Sequence, residues 1–266
     1  MSTSFVNIDW QGRAVSIEHQ WLNEHLCDAP LMVFLHEGLG SLAMWRDYPQ
    51  QLCNALGARG LVFSRPGYGQ STPRDADEHW APDFMHRQAH EVLPALLKAL
   101  GVQDAPWLFG HSDGGSIALL YATRQATAGV MVLAPHIMVE DVSVKSIALA
   151  KETYENTDLR QRLARYHSDV DSAFWGWNHI WLAPEFRNWS IENELAKISC
   201  PVLAVQGIND EYGTLAQIRN IQHHLPHTQL LEIDNCGHSP HRDQPQALTE
   251  ACVQFFKTQF STTAQA

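Results

Sequence analysis

The pentapeptide Gly110-His-Ser-Asp-Gly114 sets a serine between two glycines where an apolar run gives way to a helix of small residues. Pro106 to Phe109 reads as a short buried strand, and Gly115 to Tyr121 as a helix able to pack closely on a sheet. On such a strand-to-helix turn a serine hydroxyl stands exposed above the sheet, and small neighbours leave room for the strained backbone. Ser112 is therefore expected to attack a carbonyl. Five-residue matches occur in ordinary turns, so the expectation rests on the strand before Ser112 and the helix after it.

A nucleophilic serine needs a base to take its proton and a third group to orient that base. Pro201-Val-Leu-Ala-Val-Gln206 reads as a parallel strand, and the turn-rich loop Gly207-Ile-Asn-Asp-Glu-Tyr-Gly213 follows it directly. That puts Asp210 at a strand's carboxyl end, a better place for the acid than those of its competitors Glu211 and Asp234. Thr228 to Asp234 reads as the next strand, and the loop after it, Asn235-Cys-Gly-His-Ser-Pro240, presents His238. His241, three residues on, reads as a helix-entry residue ahead of the helical pattern from Asp243 to Phe260. Acyl transfer also needs N–H donors around the oxyanion, and the loss of one typically costs ~10²- to 10³-fold in rate. The N–H of Asp113 is one expected donor. The second is assigned to Gly38 or Leu39, in the loop His36-Glu-Gly-Leu-Gly-Ser41 after the strand Leu31–Leu35.

Taken in order, His36-Glu-Gly-Leu-Gly40, Ser64-Arg-Pro-Gly-Tyr-Gly-Gln-Ser71, Gly110-His-Ser-Asp-Gly-Gly115, Gly207-Ile-Asn-Asp210 and Gly237-His238 resemble the alpha/beta-hydrolase superfamily along most of the chain. The resemblance implies an α/β fold, an eight-stranded mostly parallel sheet with helices on both faces, and a serine hydrolase of the esterase type. Two residues depart from the family's pattern. Glu37 stands where the oxyanion loop often has glycine, which leaves the second donor open. Asp113 stands where many relatives carry an uncharged residue, and its charge bears on substrate choice.

These residues must be held by elements that the apolar runs outline. Val6 to Asp9 and Arg13 to Trp21 alternate as strands joined by the Gln11-Gly12 turn, giving the sheet an antiparallel start. Residues 42 to 58 look helical, with Trp45 near the start and Gly57 near the end, and Leu61 to Ser64 is the next strand. Asp83 to Leu100 is an amphipathic helix despite Pro94, with Asp83 as N-cap and Gly101 as stop. Gly129 to Leu133 is a further buried strand. Between His136 and Trp189 no strand-like run appears, so residues 136–189 are expected to form a helical cap inserted into a core of residues 1–135 and 190–266. The cap's end is rich in aromatics, and inward-facing ones would make an apolar pocket that excludes water. Glu37, Trp45, Trp175, Trp177, Trp181 and Tyr212 are the expected pocket wall, although most of the cap aromatics are expected only to join cap to core.

Composition narrows the remaining classes. The 266 residues are 45% hydrophobic and 18% charged, which supports a sizeable core in one large domain or a domain with a cap. Acidic residues outnumber basic ones, 29 to 18, and no basic cluster offers a phosphate-binding face, so nucleic acid is not an expected partner. Cys27, Cys53, Cys200, Cys236 and Cys252 lack metal-ligand spacing, and their odd number argues against a disulfide framework. No apolar run reaches the ~18 residues of a membrane span, and the first ten residues lack a signal peptide's pattern, so a cytoplasmic location is expected. His223, His224 and His227 flank Pro226 without a partner of recognisable spacing and read as a solvated cluster; neither metal nor organic cofactor is expected. The expected reaction is hydrolysis of a small to medium carboxylic ester through an acyl-enzyme. The same three residues also suit carbon–carbon, amide or lactone cleavage, and a small-ligand receptor of the same fold is the non-catalytic alternative. Epoxide and haloalkane hydrolysis are disfavoured, because those relatives have an aspartate in place of Ser112. Oligomeric state is not legible.

Overall fold

The computed structural model describes residues 3–75 and 77–263. Eight strands form one sheet: β1 (Ser4–Trp10), β2 (Arg13–Leu22), β3 (Leu31–Leu35), β4 (Arg59–Phe63), β5 (Trp107–His111), β6 (Gly129–Leu133), β7 (Val202–Gly207) and β8 (Gln229–Ile233). Their order is β1-β2-β4-β3-β5-β6-β7-β8, antiparallel from β1 to β4 and parallel from there to β8. Every residue of β3, β5, β6 and β7 is buried, as continuous apolar runs require when helices cover both faces. The hairpin between β1 and β2 turns on Gln11 (φ 56°) and Gly12 (φ 74°), the left-handed pair that suits the twist of a two-residue hairpin.

Alternation along the strands divides the core into two layers. Val33, Leu35, Leu108, Val130 and Val132 face the helices at residues 84–99, Asp113–Ala122 and Ala216–His224. Met32, Phe34, Phe109, Met131 and Val205 face the helices Tyr48–Leu56 and Pro245–Thr263. The expected helix at 42–58 is split. A 3₁₀ turn, Leu42–Trp45, ends at Arg46 (φ 55°), and the helix resumes at Tyr48–Leu56. Pro49 explains the break, because a proline ring inside a helix collides with the carbonyl four residues back, here that of Trp45. The helix over residues 84–99 runs past Pro94 by widening into a π-turn at Gln88–Val92, which includes His90, whose carbonyl proline cannot serve. Asp83 precedes that helix without capping it; its carboxylate binds Arg87 Nε at 2.9 Å instead. Between β6 and β7 lie the helices Asp141–Asn156, Leu159–Leu163, Val170–Leu182 and Glu192–Leu195 and the turn Pro184–Phe186, and a bridge between Met138 and Ser190 joins the ends of the stretch that holds the first three helices and the turn.

Candidate active site

Loops at the carboxyl ends of β3, β5, β7 and β8 meet above the sheet. β5 ends at His111, and Ser112 follows with φ 54° and ψ −122° before the helix Asp113–Ala122 begins. The turn is tight enough that a methyl group at Gly110 would run into the Gly114 carbonyl, and one at Gly114 into the Leu35 carbonyl. The glycines flanking Ser112 thus let β5, the new helix and the end of β3 approach backbone to backbone.

Ser112, His238 and Asp210 stand in one hydrogen-bonded chain. His238 Nε2 lies 2.9 Å from Ser112 Oγ, and His238 Nδ1 lies 2.8 Å from Asp210 Oδ1. Asp210 is fixed in turn, since Oδ1 accepts from the Tyr212 N–H (2.8 Å) and Oδ2 from Gln206 Nε2 (3.0 Å). Burial alone would lower the His238 pKa, but the Asp210 hydrogen bond and charge, with Glu211 and Glu37 beyond, raise it above its ordinary value. Burial likewise works against the Asp210 carboxylate, and the His238 bond outweighs it and holds its pKa below the usual range. A neutral His238 that donates from Nδ1 to Asp210 leaves Nε2 to accept the Ser112 proton. Glu211 and Asp234 are placed elsewhere: Glu211 Oε2 accepts from the His238 backbone N–H at 3.2 Å, and Asp234 is exposed.

The loop after β3 supplies the other side. Gly40 donates to the Glu37 carbonyl (3.1 Å), and Arg65 Nη2 donates to the same oxygen (2.9 Å), which fixes the turn. The N–H groups of Gly38 and Leu39 make no backbone hydrogen bond, and that of Asp113 starts a helix and so has no partner within it. These three expected donors are thus free of backbone acceptors. The segment between β6 and β7 leans on this loop. His167 accepts the Gly69 N–H at Nδ1 (3.0 Å) and donates from Nε2 to the Leu39 carbonyl (3.1 Å), and the Trp177 indole lies against the Gly38 Cα.

The six expected wall residues separate into distinct environments. Tyr212 sets its ring 4.8 Å from the His238 ring. Glu37 faces His111 Nδ1 and Arg242, each at 3.6 Å. Trp177 covers Gly38, while Trp181 is buried behind Asp113 and donates to its Oδ1 at 3.2 Å. Two expectations are corrected. Trp45 is buried among Phe34, Phe109 and His241, because the 3₁₀ turn directs it under the sheet's other face. Trp175 stacks on His179 (5.0 Å between centroids) and lines an outer groove with His79 and Trp80, on the side of its helix away from Ser112.

Three more histidines surround the site, of which His241 lies in the short helix Pro240–Asp243, as its reading as a helix-entry residue expects. His111 Nε2 donates to the His238 carbonyl at 2.7 Å, His136 packs 4.8 Å from Trp181 and 5.7 Å from His238, and His241 packs against Trp45, Tyr48 and His111. Burial drives the pKa of His136 down to about 3 and that of His241 to about 2, so both are neutral side chains of the core. Among the described residues no group of three or more His, Cys, Asp or Glu side chains is disposed to hold a metal, and no helix is long and apolar enough to cross a membrane.

The comparisons with known proteins agree with this architecture. The chain is 24% identical over 260 residues to a pimeloyl-[acyl-carrier protein] methyl ester esterase of Aeromonas salmonicida, covering 88% of this chain and 97% of that one. It is 22% identical over 267 residues to a proline iminopeptidase of Levilactobacillus brevis, covering 84% and 87%. A solved structure reported with the carboxylesterases of Nitrososphaera gargenis superposes with a TM-score of 0.76 at 16% identity, over 96% of this chain and 99% of that one. The model of the Alpha/beta hydrolase family matches residues 32–251, and the chain belongs to that family.

Proposed function

We propose that this hydrolase cleaves a small to medium carboxylic ester through an acyl-enzyme on Ser112. The observation that carries the reading is the chain from Ser112 Oγ through His238 to Asp210, at 2.9 and 2.8 Å, built on a serine whose φ is 54°. His238 takes the Ser112 proton as Oγ attacks the carbonyl, and returns it to the leaving alcohol; water then repeats the two steps on the acyl-enzyme. Asp210 keeps the imidazole in the tautomer with Nδ1 protonated. The oxyanion is received by the N–H of Asp113 and by that of Gly38 or Leu39. Residues 136–189 act as a cap over a core of residues 1–135 and 190–266, with Trp177 and Tyr212 bounding the approach to Ser112. The substrate is a small molecule with an acyl carbonyl. Five thiols without a disulfide suit a reducing compartment, and we place the protein in the cytoplasm.

An ester fits better than an amide because the methyl ester esterase matches over a larger share of both chains, 88% and 97%, than the proline iminopeptidase, 84% and 87%. Initial rates on aryl esters of increasing acyl length, and on a proline anilide, test this reading. Wild type is expected to cleave at least one ester with a length optimum, and Ser112→Ala to lose that activity while keeping its thermal transition. Anilide cleavage without ester cleavage would transfer the chain to the amide-cleaving branch of the family.

A further inference from the structure

His167 belongs to the segment between β6 and β7, in the connection from the helix Leu159–Leu163 to the helix Val170–Leu182, yet both of its ring nitrogens bond to backbone outside that segment. Nδ1 meets the Gly69 N–H at 3.0 Å and Nε2 meets the Leu39 carbonyl at 3.1 Å. An N–H can only donate and a carbonyl can only accept, so these two partners fix the roles of both nitrogens. A protonated ring would set a second N–H against that of Gly69. Burial has the largest influence on the His167 pKa and lowers it, against the Leu39 bond and the Glu37 charge, and the ring is neutral in a single tautomer.

The two ends of this bridge are held unequally. Gly69 is tied to the sheet: a methyl group on it would strike Ser64 Oγ and Glu18 Oε2, and the Glu18 carboxylate of β2 accepts from Ser64 Oγ (2.6 Å) and from the Gln70 N–H (2.9 Å). The Gly69 carbonyl also accepts from the Ser168 N–H at 2.8 Å, so the backbone next to His167 is moored at the same point as its Nδ1. The other end is the loop after β3. There the Glu37–Gly38 peptide is held by its carbonyl, which accepts from Gly40 and Arg65, and the Leu39–Gly40 peptide is held by its carbonyl, which accepts from His167. Peptide units are planar, so pinning these two limits the rotation of the Gly38–Leu39 unit between them. The N–H groups of Gly38 and Leu39 take their direction from those planes.

Building on the serine-esterase reading, we infer that His167 is a positioning residue for the oxyanion: it carries the mooring at Gly69 across to the Leu39 carbonyl and so aims the Gly38 and Leu39 N–H groups. The test uses two substitutions that each keep one half of the bridge. An asparagine amide reaches the place of Nδ1 and a glutamine amide that of Nε2, so His167→Asn keeps an acceptor for Gly69 and His167→Gln keeps a donor for Leu39. Each loses one hydrogen bond, and a role confined to packing would lower activity and thermal transition alike in both. A misplacement of about 1 Å costs about 10²-fold, and Arg65 still holds the other end of the turn, so His167→Asn should lose at least about tenfold in kcat on the best aryl ester with KM within about threefold. Inhibition by an alkyl trifluoromethyl ketone, whose adduct with Ser112 puts an oxyanion in the same place, should weaken by a similar factor. His167→Gln should stay within about threefold of wild type in both readouts. A His167→Asn enzyme as active as wild type, equal losses in the two variants, or a kcat loss without weaker ketone inhibition overturns the role. A folded His167→Gln that has lost tenfold overturns it too, whatever the fate of His167→Asn. If wild type cleaves the ester and binds the ketone while the variants do not differ, only the positioning role falls; if wild type does neither, the esterase reading falls with it.

Discussion

Gly38→Ala is a substitution of one methyl group whose effect follows from a single contact. Gly38 is not among the residues with positive φ, so alanine is compatible with its backbone. What opposes the methyl is Trp177: the new Cβ would lie 3.1 Å from Cε2 and overlap Nε1 and Cδ1 outright. Carbon atoms pack at ~3.5–4.0 Å, so the indole or the loop must retreat by about 1 Å. Trp177 is 6% exposed and packed on Phe174, which leaves the loop to move. Oxyanion donors act at about 2.7–3.1 Å, so a 1 Å retreat removes one donor and costs about 10²- to 10³-fold in kcat. The assay is kcat on the best aryl ester, read beside the thermal transition. The double variant Gly38→Ala/Trp177→Leu makes room for the methyl and should recover at least tenfold of the loss. A Gly38→Ala enzyme within threefold of wild type, or a double variant no better than the single, would refute the reasoning.

Three further outcomes are expected. Because the His238 pKa is raised and the base must be neutral, kcat/KM should fall as pH drops through a value above 6.5; Asp210→Asn removes the raising partner, moves this limb to lower pH and lowers kcat by about 10⁴-fold. His136 and His241 are held neutral with pKa values of about 3 and 2, so the stability they protect is complete above ~6.5 and is lost on acidification. Each should cost about 1.4 kcal/mol per pH unit below that point, seen as a denaturation midpoint that falls from pH 6.5 to 5 and falls less in His136→Gln. Trp175→Ala, on the outer side of its helix, should leave kcat/KM within about threefold of wild type; a loss above tenfold would return Trp175 to the substrate's path.

The sheet was legible because its buried strands are short apolar runs ended by turn residues, so β3, β5, β6 and β7 fell within a residue or two of their reading. Ser112, Asp210 and His238 were legible as positions because each follows such a strand. Side-chain direction was not. Trp175 and Trp177 lie two residues apart on one helix, on opposite sides of it, and nothing in Phe174-Trp-Gly-Trp177 says which indole faces Gly38. The helix break at Arg46 was signalled by Pro49 and was masked by the apolar pattern on either side. Arg65 was visible only as part of the Ser64-to-Ser71 motif, since its burial and its bond to the Glu37 carbonyl depend on how β4 and the β3 loop meet in space.

The central claim is that Ser112 is the nucleophile. Mass spectrometry of native protein treated with a stoichiometric fluorophosphonate, followed by peptide mapping, addresses it directly. The account expects one adduct per chain, on the peptide containing Ser112, and none on Ser112→Ala. An adduct on another residue, or equal labelling of Ser112→Ala, would contradict it.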